Sequence, residues 1–251
     1  MSTRAETTVS VELVRGRARA TVLDGGQHIR PRMLDVDGPR MRLALVATCA
    51  TLLAGDDVRL RITIGSGAAV ELVEPSGTVA YDARGGHASW SGWVVVEAGG
   101  SFVWRAAPFV VAGGASVTRD TRLDLADGAA ALLEETVVLG RSGETGGAVT
   151  TRTRATHAGR ELLVEDVELT CPGRRSMPGA LGAGRVLATA ALLGVDVDPA
   201  TMRPERETRL HGPGVLARAV AQHAHETEAA LAPSWSRWHR LLAADRNTIT
   251  V

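Results

Sequence analysis

The chain has 251 residues, 45% of them hydrophobic, which is enough for a sizeable core in one large domain. Its 28 basic and 28 acidic residues give a formal net charge of zero. That balance argues against a general nucleic-acid binder and against simple electrostatic attachment to a membrane. No stretch approaches the ~18–20 uninterrupted apolar residues of a membrane-spanning helix, and the N-terminal residues show no apolar export segment. We therefore expect a cytoplasmic protein whose two cysteines, Cys49 and Cys171, are free thiols.

Most of the chain from residue 9 to residue 170 has the pattern of β-strands. Apolar and polar side chains alternate over 58–64, 117–125 and 163–169, as expected for half-buried strands. Glycine-rich turn signals separate these segments at regular intervals. The spacing predicts antiparallel meanders in layered, sandwich-like sheets. Cys49 lies in an apolar run at 43–53 and is predicted to be a small core residue.

The character of the sequence changes after Cys171-Pro172-Gly173. Alanine- and leucine-rich segments predict helices at 181–193 and 215–231, and a short helix at 235–243 with Ser234 as its N-cap. We interpret residues 1–251 as a single domain, with a β body at about 9–170 and a small helical cap at about 178–245.

Two glycine-flanked acidic turns are the candidate functional elements. Asp56 and Asp57 follow Gly55 between two apolar segments, and Glu144 ends the loop that begins Gly140-Arg141. Locally, these patterns indicate turn hydrogen bonds and a solvated ion pair. The functional alternative is that the carboxylates face a polar cavity.

Other potential sites give weaker signals. The sequence has no Cys-x-x-Cys, His-Glu-x-x-His or Gly-x-Ser-x-Gly, so neither a structural zinc site nor a hydrolase nucleophile is supported. His223 and His225 are two residues apart; on a helix they would not share a face, so joint chelation would need an irregular backbone. Trp235 and Trp238 lie three apart on one predicted helix face, where they either fill the core or form a partner-binding patch.

Four short motifs, taken in order, resemble the urease accessory protein family UreD, called UreH in some species. A Gly-Asp step precedes an alternating strand and a glycine turn, a Gly-Thr segment ends in tyrosine, a Trp segment ends in proline, and an acid-ended strand leads to Gly-Arg-x-Gly-Glu. The residues that carry the resemblance are Gly55, Asp56, Thr78, Tyr81, Trp104, Pro108, Glu135, Gly140, Arg141, Gly143 and Glu144. It covers roughly residues 10 to 170, and it departs from the family pattern at Ala54 and Val79, where the family often has glycine and lysine.

The resemblance implies a non-enzymatic urease maturation factor with a mostly-β layered fold. Such a protein binds apo-urease and UreF-like and UreG-like accessory proteins, and it helps to deliver nickel, which is in transit and not a permanent cofactor. A homodimer within that complex is a further expectation. Asp56 and Glu144 become candidate residues of a nickel passage, because isolated carboxylates attract a hydrated divalent cation without trapping it. Trp235, Trp238 and Arg141 become candidates for partner binding.

Two other functional classes are compatible with the residues. One is a β-sandwich carbohydrate-active hydrolase that uses two of Asp56, Asp57, Glu135 and Glu144 as its acid/base pair. A sugar-binding platform would need more aromatic residues than the 3% present. The other class is an interaction module with no metal role.

Overall fold

The computed structural model describes residues 6–177 and 179–247, and in these it is built mainly from β-strands arranged in two sheets. The short helix α1 spans Pro172–Arg175, the long helix α2 spans Ala224–Asn247, and one 3-10 turn covers Pro199–Thr201. The strands, in chain order, are β1 Glu6–Val14, β2 Arg17–Asp24, β3 Ile29–Asp37, β4 Arg40–Ala47, β5 Asp57–Ile64, β6 Ala69–Val73, β7 Thr78–Ala80, β8 Ala88–Val96, β9 Ser101–Arg105, β10 Phe109–Val111, β11 Ser116–Leu125, β12 Ala130–Leu139, β13 Ala148–His157, β14 Arg160–Leu169, β15 Val186–Leu193, β16 Glu207–Arg209 and β17 Gly214–Ala221.

The seven-stranded sheet has the order β14-β13-β11-β8-β5-β1-β2. The ten-stranded sheet contains β16-β17-β15-β12-β9-β6-β4-β3, with β10 also beside β12 and β7 beside β10. The predicted layered, mainly-β fold is confirmed. The predicted antiparallel pairing is wrong for the centre, where β1, β5, β8, β11 and β13 run parallel, as do β4, β6, β9 and β12. Antiparallel pairs occur towards the sheet edges, for example β1 with β2 and β13 with β14.

The chain winds through the centre as a solenoid. From β4 to β13 it passes back and forth between the sheets, and each strand lies parallel beside the one from the preceding coil. Gly67, Gly99 and Gly128 turn the chain at corresponding corners, all at positive φ (69°, 66° and 66°). An added Cβ at Gly128 would lie 3.7 Å from the Gly99 nitrogen, so these corners are stacked. The regular turn signals therefore mark coil corners and not hairpins.

The predicted C-terminal helical cap is present as α2, which contains the predicted helical segment 235–243, but the helices predicted at 181–193 and 215–231 are largely wrong. Val186–Leu193 and Gly214–Ala221 are strands that pair antiparallel with each other, and β15 also pairs with β12. Nearly every residue of β15 is buried, so its strand lacks the polar alternation that would distinguish it from a helix. Helix α2 begins only at Ala224, and Ser234, the predicted N-cap, is a buried residue inside it, next to Pro233.

Two apolar clusters lie on the two faces of the ten-stranded sheet. One fills the space between the sheets and includes Phe102, Trp104, Leu123 and Leu133. The other lies between the outer face of the ten-stranded sheet and α2, where Trp238 is completely buried. Strand β12 serves both, because its odd-numbered side chains face the other sheet and its even-numbered ones face α2.

Three further expectations from the sequence concern the cysteines, an export segment and a membrane-spanning helix. Cys49 is exposed, so the core assignment is wrong, while Cys49 and Cys171 are both free as predicted. The N-terminal residues 1–5, on which the absence of an export segment was partly judged, lie outside the described residues. Within the described residues, no helix is both long and apolar enough to cross a membrane.

Candidate functional site

Asp56 lies at the turn that enters β5, where Gly55 adopts a φ of 89°. Its Oδ2 accepts a hydrogen bond from the Leu53 amide at 2.9 Å, and its Oδ1 lies 3.5 Å from Nε2 of the buried His28. The Nδ1 atom of His28 is buried without a hydrogen-bond partner. Asp56 therefore closes a turn and also faces an imidazole inside the molecule.

Glu144 is anchored within its own loop. Its Oε2 accepts from the amides of Gly113 at 2.9 Å and Arg141 at 3.0 Å, and its Oε1 accepts from Arg141 Nε at 2.9 Å and Nη2 at 2.6 Å. These bonds, the Arg141 side chain foremost, lower the pKa of Glu144 to about 2. The carboxylate is thus ionised and fully engaged in holding the loop to the 112–114 turn.

The Gly140–Gly147 loop is also held by two arginines from later in the chain. Arg185 donates to the carbonyls of Leu139 and Arg141 at 3.1 and 2.8 Å. The buried Arg175 donates to the carbonyls of Thr145 and Gly147. An added Cβ at Gly140 would lie 2.6 Å from the Glu144 carbonyl oxygen, which explains glycine at that motif position. Sequence reasoning found the rigid loop but neither arginine.

Asp56 and Glu144 lie at the same end of the parallel strands of the seven-stranded sheet, but they are separated from each other. Asp56 precedes β5 and Glu144 precedes β13, and strands β8 and β11 lie between them. Three strand spacings of ~4.8 Å place them on the order of 14 Å apart. His87 precedes β8 and lies between them at the same end of the strands. Its ring nitrogens are 3.0 Å from Ser116 Oγ and 3.1 Å from Thr118 Oγ1.

A buried ion pair lies in the space between the two sheets. Arg119 on β11 is 5% exposed, and its Nη2 is 2.8 Å from Oε1 of Glu135 on β12. The same oxygen accepts from Arg119 Nε and from Thr121 Oγ1, both at 2.9 Å. The guanidinium also stacks 4.1 Å from the centre of the Trp90 ring. Of these residues, only Glu135 was selected from the sequence.

Glu74 is a second carboxylate near Arg119, and it is half-buried. Trp104 Nε1 donates to its Oε1 at 3.2 Å, and the Ala107 amide donates to its Oε2 at 3.0 Å. Burial raises the pKa of Glu74, although the charge of Arg119 acts in the opposite direction. The charge of Arg119 thus acts on both Glu74 and Glu135, and we call these three groups the interior polar line.

Two cavities adjoin the interior polar line. The larger, about 110 Å³, is lined by Glu74 and Trp90 together with Cys49, Thr51 and Tyr81. The smaller, about 30 Å³, lies on the far side of Arg119 and is lined by groups from both sheets. Its polar lining residues are Arg119, Thr121, Glu135, Thr151, Arg152, Thr153, Glu165 and Thr189.

Several motif residues converge on the larger cavity. Thr78 and Tyr81 line it, and the Thr78 amide donates to the Pro108 carbonyl at 3.1 Å where β7 pairs with β10. Trp104 holds Glu74 at its wall. Two of the four motifs, the Thr78–Tyr81 segment and the Trp104–Pro108 segment, therefore meet beside Glu74.

The partner-binding candidates differ in accessibility. Trp238 is 0% exposed and packs against the ten-stranded sheet, so it belongs to the core and is not available to a partner in this structure. Trp235 is half-buried, with the Arg105 guanidinium 5.5 Å from its ring centre. Arg141 is exposed but paired with Glu144.

No group of three or more His, Cys, Asp or Glu side chains in the described residues is close enough to hold a metal ion. The four carboxylates of the hydrolase alternative are also dispersed. Asp57 is bound by Arg59 and by Ser89, Glu135 by Arg119, and Glu144 by Arg141. Each has its own partner, and none of these contacts joins two of them as an acid/base pair.

Comparison with known proteins gives consistent matches. A family model described as UreD urease accessory protein matches residues 6–249. A protein from Streptomyces griseus named urease accessory protein UreD 1 is 48% identical over 92% of this chain and 91% of its own length. A protein of the same name from Saccharopolyspora erythraea is 35% identical over 75% of each chain, and the urease accessory protein UreD of Frankia alni is 32% identical over 74% of this chain and 70% of its own.

Proposed function

Because the chain belongs to the UreD family of urease accessory proteins, we propose that it is a urease maturation factor that passes nickel through its polar interior. In this proposal it binds apo-urease together with UreF-like and UreG-like proteins, catalyses no reaction, and holds nickel only in transit. The observation that supports an interior route is the polar line Glu74–Arg119–Glu135 with a cavity on each side.

The chemistry of the interior polar line suits a passing cation. Isolated carboxylates attract Ni²⁺, but fewer than three ligands at any point do not trap it. Because its pKa is raised, the neutral form of Glu74 is favoured while no ion is present. A divalent cation that binds there favours the ionised form. A carboxyl group of this kind binds and releases a cation without leaving an uncompensated charge in the core.

Arg119 controls the middle of this route. Its guanidinium pairs with Glu135 and stacks on Trp90, so it keeps the two cavities apart and repels a second cation. In this proposal, transit therefore requires Arg119 to move away from Glu135. Docking of the partner proteins is the event that would supply the free energy for that movement.

Asp56 and Glu144, the two carboxylates at the strand ends, have different roles in this proposal. Asp56 accepts a hydrogen bond from the Leu53 amide and faces His28, so it is the stronger candidate for a residue at the mouth of the route. Glu144 already accepts four hydrogen bonds, so a role in transit would require it to release its loop. We assign Glu144 to loop anchoring and retain Asp56 as the candidate passage residue.

The direct test is urease activation in cells that lack this chain but keep the other urease genes. Restoring the chain should restore nickel in urease, and the chain should co-purify with apo-urease and with UreF-like and UreG-like proteins. Normal urease without the chain would contradict the proposal. Restoration by a chain that binds its partners equally well but has a blocked interior would favour the metal-independent interaction module.

A further inference from the structure

His223 and His225 form a pair of imidazoles on the surface near the start of α2. The two rings are stacked, with their centres 5.5 Å apart and an angle of 10° between their planes. Both residues are exposed, and neither belongs to the interior polar line or to the motifs of the family. The pair therefore has no part in the function proposed above.

The backbone explains how residues two apart come to lie side by side. Helix α2 begins at Ala224, so His223 precedes it in the short connection from β17, and only His225 is helical. Within a regular helix, residues i and i+2 face different directions. Because the helix boundary lies between these two, the irregular backbone that joint chelation requires is present.

Neighbouring contacts hold this connection in place. Glu226 Oε2 accepts from the amides of Gln222 at 3.1 Å and His223 at 3.0 Å, and so caps the helix. The Gln222 side-chain amide donates to the carbonyl of Ala183, which lies in the loop before β15. The imidazoles therefore project from a fixed turn, which reduces the conformational entropy lost when both bind one ligand.

The rings are near enough to share a metal ion after one of them rotates, because an ion lies in the plane of each imidazole that binds it and stacked rings do not share a plane. With metal–nitrogen bonds of about 2.1 Å and ligand angles between about 90° and 110°, two imidazoles on one ion have ring centres roughly 4.5–5.5 Å apart. Imidazole is a preferred ligand of divalent nickel, zinc and copper. The carboxylate of Glu226 adds negative charge beside the pair and opposes the positive end of the helix dipole.

We propose that His223 and His225 form a surface site for one divalent transition-metal ion such as Ni²⁺, with water at the remaining coordination positions. The inference goes beyond the proposed function, since the site exists whether or not nickel crosses the interior. It gives the chain a place where a metal ion is held outside the solenoid.

The test is calorimetric titration of the purified full-length chain with a simple nickel salt. The wild-type chain should bind one ion at this site, and His225→Gln and His223→Gln should each weaken that binding by at least about tenfold, because a single imidazole no longer chelates. His239→Gln is the matched control, since His239 is also exposed and lies on the same helix. It should bind as the wild type does.

Two results would overturn the proposal: equal nickel affinity in His225→Gln and the wild type, or no binding to the wild type at all. Circular dichroism of each variant should match the wild type, because both side chains are on the surface. Urease activation does not enter this experiment, so its outcome is independent of the proposed maturation role.

Discussion

The guanidinium of Arg119 and the carboxylate of Glu135 meet 2.8 Å apart between the two sheets of the solenoid, beside its apolar core. Breaking a buried ion pair by removing one partner leaves the other charge uncompensated. We expect Arg119→Met to lower the free energy of unfolding by about 3–5 kcal/mol.

The control for this prediction is Arg122→Met, on the same strand but exposed on the outer face. It should change the free energy of unfolding by no more than about 0.5 kcal/mol. Urea unfolding of both variants provides the measurement. Equal, small effects would show that Arg119 is not the balancing charge of the interior.

The sequence allowed the class of fold to be predicted but not its winding. Alternation over 58–64 and 117–125 correctly predicted strands, because each has one face towards the core. Pairing direction is not encoded in alternation, so the stacked corners at Gly67 and Gly99 were mistaken for hairpin turns. Val186–Leu193 was mistaken for a helix because both of its faces are buried.

The residues of the candidate site were likewise predicted only in part. Trp104 and Glu135 were selected as motif residues, but their surroundings depend on partners about 30 and 16 residues away along the chain, Glu74 and Arg119. Local pattern contains no information about such contacts. A signal was present nevertheless, since Arg119 occupies an inward-facing position of an alternating strand, where a charged residue needs a buried partner.

The anchored carboxylate of Glu144 should make the stability of the protein depend on pH. Its pKa in the folded chain, about 2, is below the ordinary value of 4.5, so its contribution is complete above that ordinary value and is lost as the pH falls from there through about 2. Glu144→Gln removes this contribution. The variant should be less stable than the wild type at neutral pH, and the difference should shrink as the pH falls towards about 2.

Urea midpoints for wild type, Glu144→Gln and the exposed control Glu161→Gln, compared from about pH 6 down to about pH 2, provide the measurement. The control should differ little from the wild type throughout. A difference for Glu144→Gln that stays constant over this range would contradict the assignment of the carboxylate as the titrating anchor.

The two tryptophans of α2 should respond differently to truncation. Trp238 is fully buried, so Trp238→Ala should lower the free energy of unfolding by about 3–5 kcal/mol. Trp235 is half-buried, so Trp235→Ala should lower it by about 1 kcal/mol. If Trp235 contacts a partner, its variant should also co-purify poorly with the UreF-like protein while remaining folded. Undiminished co-purification would remove Trp235 from the candidate interface.

Asp56→Asn tests the mouth of the proposed route. The change preserves size and the acceptor for the Leu53 amide but removes the charge that faces His28. We expect the variant to fold and to form the partner complex, yet to load urease with several-fold less nickel, because attraction of a divalent ion falls with the lost charge. Loss of the complex itself would instead assign Asp56 to an interface.

The nickel content of urease matured with Glu74→Gln tests the interior route most directly. Burial already favours the neutral form of Glu74, so the neutral glutamine should be tolerated by the fold, and the outward-facing Glu97→Gln is the control. With both variants present in the partner complex at wild-type levels, we predict several-fold less nickel per urease active site for Glu74→Gln and normal loading for Glu97→Gln. Wild-type loading with Glu74→Gln would contradict passage of nickel along Glu74, Arg119 and Glu135.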